Sequence, residues 1–298
     1  MRRYLIIFHR IDYDGLCSMA ITKKAIVEKH PDSIIETLGF NYGDDLPNLD
    51  SLIAVYDCIF LVDICLPTES MKTLKNSGKV IWLDHHITQI TESESEGYSD
   101  IPGLRVNGTA ACEICWKWFF PNNPVPMAVL YLSHYDTWKH DTFDWDGVIL
   151  PFQYGLRTIY SLDAAKFYNE LDKIFTTTDE IIKMGTGILQ YLGNSWKGSV
   201  KGYAFPVLVD NRYNGICMLT STFGSSQFES VKNQYDCYVC VNRKGPDYYN
   251  ISIYVNDRCD FNSGEYMKAN YNGGGHAKAA GGSLNLEQFV RLISAGIV

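Results

Sequence analysis

The sequence predicts an α/β protein: an N-terminal domain built on a parallel sheet with helices on both faces, followed by a smaller C-terminal α+β domain. Three observations carry this. The apolar runs RYLIIF (3–8), IFLVDI (59–64) and KVIWL (79–83) alternate with segments of helical periodicity, the pattern of βαβ units. From about Lys201 the helical pattern gives way to closely spaced strand-like runs. The length, 298 residues, accommodates two domains of about 150 residues each.

Taken in order, Arg3 to Phe8 is a short, near-continuous apolar run, as expected of a strand covered on both faces. Cys17 to Lys29 carries apolar residues at helical spacing. Thr68 to Asn76 reads as a helix closed by Ser77-Gly78, between the second and third strands. Asp84 to Gly103 is rich in Ser, Thr and Glu and is expected to be an exposed loop. Helices are expected at Thr109–Phe119 and Pro126–Tyr135, then a weakly patterned stretch containing Asp144, Gly147 and Gly155. Helices at Leu162–Phe175 and Asp179–Trp196 lead out of the first domain. The boundary falls near Gly198–Gly202, giving domains 1–198 and 199–298. In the second, strands at Ala204–Asp210, Asp236–Asn242 and Tyr249–Val255 surround a helix near Gln227.

Composition excludes several classes. With 46% hydrophobic and 20% charged residues the chain is neither disordered nor a coiled coil. Lys and Arg number 26 against 34 Asp and Glu, a net charge of −8, which argues against coating a long nucleic acid but not against a small phosphorylated substrate. The longest apolar run, CIFLVDICL, is interrupted by Asp63 and is too short to span a bilayer. The stretch YLIIF ends at His9, too early for a signal peptide, so no membrane partner and a cytoplasmic location are expected. Nine cysteines, an odd number, read as reduced thiols. The pairs Cys112/Cys115 and Cys237/Cys240 lie in helical and strand-like stretches without the turn residues of a zinc knuckle, so buried free thiols are expected there.

Four polar motifs stand at the ends of these elements: His9-Arg-Ile-Asp12-Tyr-Asp14-Gly15 after the first strand, Asp63 near the end of the second, Asp84-His85-His86 after the third, and Asp136 after an apolar helix. Each alone has a structural explanation as a cap or turn residue. In a parallel sheet, however, ligands bind beyond the carboxyl ends of the strands, and three adjacent strands would bring these groups to one edge. Converging carboxylates repel unless cations neutralise them, which points to a metal site. Carboxylate and imidazole without thiolate suit Mn²⁺, and less well Mg²⁺ or Zn²⁺. Seven or so donors suffice for two ions about 3.5–4 Å apart, the arrangement that hydrolyses phosphoesters.

These motifs resemble the DHH phosphoesterase superfamily: Asp84-His85-His86, the upstream H-x-x-D-x-D-G and an isolated Asp on the intervening strand. A second signature, Asn272-Gly273-Gly274-Gly275-His276-Ala277-Lys278, resembles the glycine-rich segment of its accessory DHHA1 domain, about 190 residues downstream. The resemblance covers essentially the whole chain. It implies that His9, Asp12 and Asp63 hold one metal and Asp14, Asp63, His85 and Asp136 the other. It further implies that His86 lies beside the substrate phosphate and that Asp84 orients its neighbours. The sequence departs from the family in having two residues, not three, between His9 and Asp12. His134 is a nearby competitor for Asp136. Tyr254 stands where many members carry a substrate-gripping arginine, so Arg258 or Arg243 is expected to substitute. The glycines remove side chains from what reads as a loop, letting backbone N–H groups and His276 contact an anion.

The resemblance implies a two-domain, Mn²⁺-dependent phosphodiesterase that degrades short RNA or related small nucleotides to mononucleotides. Alternatives are a 3′-phosphoadenosine 5′-phosphate phosphatase, a cyclic or linear dinucleotide phosphodiesterase, and a nucleotide-binding regulator without catalysis. No sensory or membrane segment precedes the first domain, which disfavours a membrane-anchored cyclic dinucleotide enzyme. A homodimer is expected by analogy alone.

Overall fold

The computed structural model describes residues 1–221 and 224–298. These divide into two compact units, Met1–Ile188 and Leu189–Val298, the division falling within one long helix.

The first unit runs β1 (Arg3–His9), α1 (Tyr13–Lys29), β2 (Ile34–Phe40), α2 (Leu49–Val55), β3 (Cys58–Val62), α3 (Thr68–Ser77), β4 (Val80–Leu83) and α4 (Ile87–Glu96). After these come α5 (Ala111–Phe119), α6 (Met127–Asp136), a π-helical turn (Trp145–Ile149), α7 (Leu150–Ile159), α8 (Ala164–Asn169), α9 (Leu171–Thr176) and α10 (Thr178–Tyr203), which continues into the second unit. The strands form one parallel sheet in the order β2-β1-β3-β4, so the three strands legible in the sequence are adjacent. Strand β1 alternates its side chains between two cores. Tyr4, Ile6 and Phe8 join a cluster with α1, α5, α6 and α7. Leu5 and Ile7 join a second cluster with α3 and strands β3 and β4. Both faces of β1 are therefore covered, and ionisable residues gather where β1, β3 and β4 end.

Residues 84–103, expected to be a loop, contain α4. The sequence ITQITESESE offers little to a core, and Ser93 alone among its residues is buried. The helix is closed by Gly97 in the left-handed conformation (φ 79°) and tied to α3 by Lys72–Glu96 and by Lys75 Nζ donating to the Gly97 carbonyl. Polar anchoring replaces apolar periodicity here, which is why composition misread it.

The second unit continues from α10 through β5 (Phe205–Val209), β6 (Tyr213–Leu219), a 3₁₀ segment (Ser225–Val231), β7 (Cys237–Arg243), β8 (Tyr248–Val255), α11 (Ser263–Asn270), β9 (Gly274–His276), β10 (Ala279–Asn285) and α12 (Leu286–Ala295). Its sheet has the order β5-β6-β7-β8-β10-β9, with β6 and β7 the parallel pair. The helix expected near Gln227 is the 3₁₀ segment.

All nine cysteines are free; eight are buried and Cys58 is half-buried. Burial pushes the Cys58 thiol up to about 11 and Cys65 up to about 12, so neither forms an appreciable thiolate near neutrality. The native protein is expected to expose at most about one thiol to a rapid thiol reagent, and all nine after unfolding in urea. Two or more fast thiols in the native state would contradict this packing.

Candidate metal centre

The polar motifs converge at the carboxyl ends of β1, β3 and β4. Asp12 is the N-cap of α1: one oxygen accepts from Gly15 N at 2.9 Å, and the other lies 2.8 Å from His9 Nδ1. Asp12 thus fulfils its structural role as a cap while facing the site with its free oxygen. Asp14, in the first turn of α1, is buried, and its two oxygens accept from Ala111 N and Cys112 N at 2.8 and 2.7 Å. Ala110 cannot cap α5 with its own side chain, so Asp14 serves that helix N-terminus.

Asp63 follows β3 with φ 58°, a conformation that aspartate tolerates better than most residues. Its N–H donates to the Leu83 carbonyl, fixing it against the end of β4. The buried carboxylate lies between two imidazoles: Oδ2 is 3.6 Å from His9 Nδ1 and Oδ1 is 3.3 Å from His85 Nε2, with no hydrogen-bond partner for Oδ1 among the described residues. His85 Nε2 is also 3.3 Å from Asp136 Oδ2 and 3.7 Å from Asp14 Oδ2.

Asp84 is arranged differently. It is fully buried and accepts from Trp82 Nε1, the backbone N–H groups of His85 and His86, and His86 Nδ1 at 2.7 Å. One of its oxygens is thus engaged in holding the two histidines and the other accepts from Trp82, and His86 is left with Nε2 directed away from Asp84.

The electrostatics match crowding of like charges. Burial and the neighbouring Asp63 raise Asp14 to about 8, and burial and Asp14 raise Asp136 to about 7. Burial likewise raises Asp63. On His9, burial opposes the charge, but Asp12 and Asp63 outweigh it and bring the imidazole to about 10. The same balance, with Asp63 and Asp14 as partners, brings His85 to about 9. Burial would raise Asp84, yet His86 and the two backbone donors hold it below the usual carboxylate range. Protons on the histidines thus occupy positions that a cation would take. Among the described residues, three groups have ligand atoms within 4.8 Å of one another: His9, Asp12 and Asp63; Asp14, His85 and Asp136; and Asp63, Asp84, His85 and His86. The donors are oxygen and nitrogen without sulfur, and a buried carboxylate oxygen lacks a partner, so the residues fit a divalent cation.

His134, the competitor for Asp136, is buried against Phe143 and belongs to none of these groups. Two residues that sequence reasoning missed complete the site. Asn41 Oδ1 lies 3.1 Å from His9 Nε2, which leaves Nδ1 to face Asp12 and Asp63, and Tyr42 packs edge-on against His9 and His86. Both follow β2, an edge strand whose mixed sequence IIETLGF gave no strand signal. Replacing Asn41 with alanine frees the His9 ring, and activity at limiting metal is expected to fall about 10- to 100-fold. A metal titration of activity checks this: recovery at saturating metal supports the positioning role, and a shift below about twofold removes it.

Gly273, Gly274, Gly275, His276 and Arg258 belong to the second unit. The glycine run is not a loop: Gly274–His276 is the sheet's edge strand, paired with Ala279–Gly281. A Cβ at Gly273 would meet the Gly281 carbonyl oxygen at 2.0 Å, and Gly275 has φ 140° and would meet the Ala279 carbonyl oxygen at 2.6 Å, so packing against β10 requires both. Gly274 has open space on its Cβ side, and His276 is exposed. Arg258 is exposed and donates to the Asn233 carbonyl, whereas Arg243 is folded back onto the carbonyls of Gly245 and Pro246. Lys278 is structural, bonded to the carbonyls of Asn256, Asp257 and Cys259.

No family model and no curated protein matches the chain. Solved structures do. PggH from Vibrio cholerae, a pGpG-specific phosphodiesterase, has a TM-score of 0.54 at 15% identity, over 99% of this chain and 97% of its own. A DHH domain from a member of the s1p family of ribosomal proteins has a TM-score of 0.53 at 15% identity, over 100% and 88%. The chain has the DHH fold. An exopolyphosphatase-related protein from Bacteroides fragilis adds a TM-score of 0.51 at 12% identity, over 99% and 91%. Within the DHH fold the Asp84-His85-His86 motif follows β4, beside the ends of β1 and β3. Among the described residues no helix is long and apolar enough to cross a membrane.

Proposed function

We propose that the chain is a metal-dependent phosphodiesterase that cleaves linear dinucleotides and other very short RNA to mononucleotides. The observation that carries this reading is the sharing of Asp63 between two groups of ligands, one centred on His9 and the other on His85. His9, Asp12 and Asp63 would hold one divalent cation; Asp14, Asp63, His85 and Asp136 would hold a second. Bound there, such ions supply activation of water and neutralisation of charge at phosphorus. Mn²⁺ is favoured by the carboxylate and imidazole donors.

The protein's own groups have distinct tasks. Asp84 fixes the His86 tautomer by accepting from Nδ1, so the half-buried ring presents Nε2 to a phosphate oxygen. The pKa of His86 is raised, despite burial, by Asp84 and Asp63, which favours the protonated, donating form. Asn41 performs the equivalent service for His9. The size of the substrate follows from charge: a net −8 offers little to a long backbone, whereas a short nucleotide needs only the local cation site. The likeness in fold to PggH supports a linear dinucleotide as the first substrate to try.

The test is hydrolysis by the purified full chain with Mn²⁺. RNA dimers to pentamers, linear and cyclic dinucleotides, adenosine 3′,5′-bisphosphate and pyrophosphate are assayed in parallel. Cleavage of linear dinucleotides and short RNA to mononucleotides, abolished by a chelator and restored by Mn²⁺, is the expected result. A chain inert on every phosphodiester at saturating metal would overturn the reading, and preference for the bisphosphate would replace it with a phosphomonoesterase.

A further inference from the structure

A pocket of about 350 Å³ opens against the carboxylate side of the metal centre within the first unit. Asp12, Asp14 and Asp136 line one side, and Tyr135, Gln153 and Arg157 line another. Gln153 and Arg157 are four residues apart on α7 and so share a face of that helix. Gln153 is 2% exposed and lines the pocket; its side-chain amide makes no hydrogen bond to the protein among the described residues, and its atoms are not sealed from the pocket space. An amide so nearly buried needs a partner, from water or from a ligand in the pocket.

Arg157 donates from Nη2 to Tyr135 Oη at 3.0 Å and lies 5.5 Å from the ring centres of both Tyr135 and Tyr154. Trp145 in turn stacks on Tyr135 at 5.8 Å, with the rings 6° from parallel, which fixes the tyrosine that holds the arginine. Apolar walls come from Leu132 and Leu162. The volume is at the lower end of the roughly 300–1,000 Å³ of small-molecule pockets, enough for one nucleoside. Three carboxylates on one wall disfavour a bare anion in the interior. A neutral base edge, by contrast, offers both the donor and the acceptor that the Gln153 amide lacks.

We infer that this pocket takes the nucleoside on one side of the scissile phosphate, with Gln153 hydrogen-bonding the base edge and Arg157 positioning the phosphate that the nucleoside carries. The inference rests on the phosphodiesterase reading for its substrate, but the pocket can be tested without turnover. Because Gln153 has no protein partner, Gln153→Met removes the amide at similar volume without breaking a contact, and its thermal transition should equal or exceed that of the wild type.

The full chain is titrated calorimetrically with adenosine, guanosine, cytidine and uridine, and steady-state kinetics are measured on the sixteen RNA dinucleotides with Mn²⁺. At least one nucleoside should bind the wild type, about tenfold more weakly to Gln153→Met. KM for the matching dinucleotides should rise about tenfold with little change in kcat, since the contact is made equally in ground and transition states. Absence of nucleoside binding to the wild type, or unchanged Kd and KM in a folded Gln153→Met, would overturn the subsite even if the enzyme is active. Gln153-dependent nucleoside binding by a chain that hydrolyses nothing would uphold the pocket and sink the proposed activity instead.

Discussion

Replacing Asp63 with asparagine is expected to lower kcat/KM on short RNA by at least about 10³-fold while leaving the thermal transition of the metal-free protein unchanged or higher. The size follows from the site. Asp63 belongs to both groups of ligands, so its loss removes a donor from each; several kcal/mol of transition-state stabilisation are at stake, and each 1.36 kcal/mol is tenfold. The sign of the stability effect follows from burial. Without cations, the Asp63 carboxylate is 2% exposed, has an oxygen with no hydrogen bond, and shares the site with Asp14, whose pKa it helps to raise. A neutral amide removes that repulsion and the cost of burying the charge; it also gives up the attraction of Asp63 for His9 and His85, but burial leaves the Asp63 carboxyl raised overall, so the first effect is the larger. Asparagine is the informative choice because it tolerates the left-handed conformation at φ 58°; alanine would add roughly 1–2 kcal/mol of backbone strain. The measurements are hydrolysis rates with saturating Mn²⁺ and thermal melts with and without it. Wild-type melting should rise on addition of Mn²⁺, whereas Asp63→Asn should show little rise. A variant retaining a tenth of the activity would remove Asp63 from the centre of the mechanism.

The convergence of the site was legible because it depends on topology, which the apolar runs disclosed. RYLIIF, IFLVDI and KVIWL are near-continuous apolar runs, so each had to be a covered strand of a parallel sheet with its polar residues at the carboxyl end. Once β1, β3 and β4 are neighbours, His9, Asp63 and His85 are neighbours too. What stayed hidden has a common physical cause: elements that bury little. The helix Ile87–Glu96 is held by ion pairs and a glycine cap, and the edge strand Ile34–Phe40 pairs with β1 alone, so neither needs an apolar period. Asn41 and Tyr42 were missed because they lie beyond that edge strand. The run Gly273–Gly275 was misread for a different reason. Glycine permits a loop, but here it permits close packing of an edge strand on Ala279–Gly281, and the two demands write the same three letters. Gln153 and Arg157 lay in the stretch that seemed unpatterned, although α7 places them four residues apart on one face of a short helix.

Replacing Gly15 with alanine is expected to damage both the fold and the site, and the direction is set by competition between two effects. Alanine is the better helix former by about 1 kcal/mol, and Gly15 lies in the first turn of α1 with no left-handed φ to forbid a side chain. Against this, a Cβ at residue 15 would lie 1.9 Å from the His9 carbonyl oxygen, a backbone atom at the end of β1. Ordinary contact requires the helix start and the strand end to separate by more than 1 Å, and such overpacking costs about 1–3 kcal/mol or more, so the clash wins. The same displacement moves Asp12 and Asp14, on the helix, away from His9 and Asp63, on the sheet. A shift of that size in reacting groups costs about 10²-fold in rate. Gly187→Ala is the matched control, since that glycine lies in α10 with nothing near its Cβ position and should be neutral or slightly stabilising. Urea melts and kcat measurements on the two variants decide the matter. If Gly15→Ala matched the wild type in both, the close approach of α1 to β1 would not be what holds the carboxylates over the sheet.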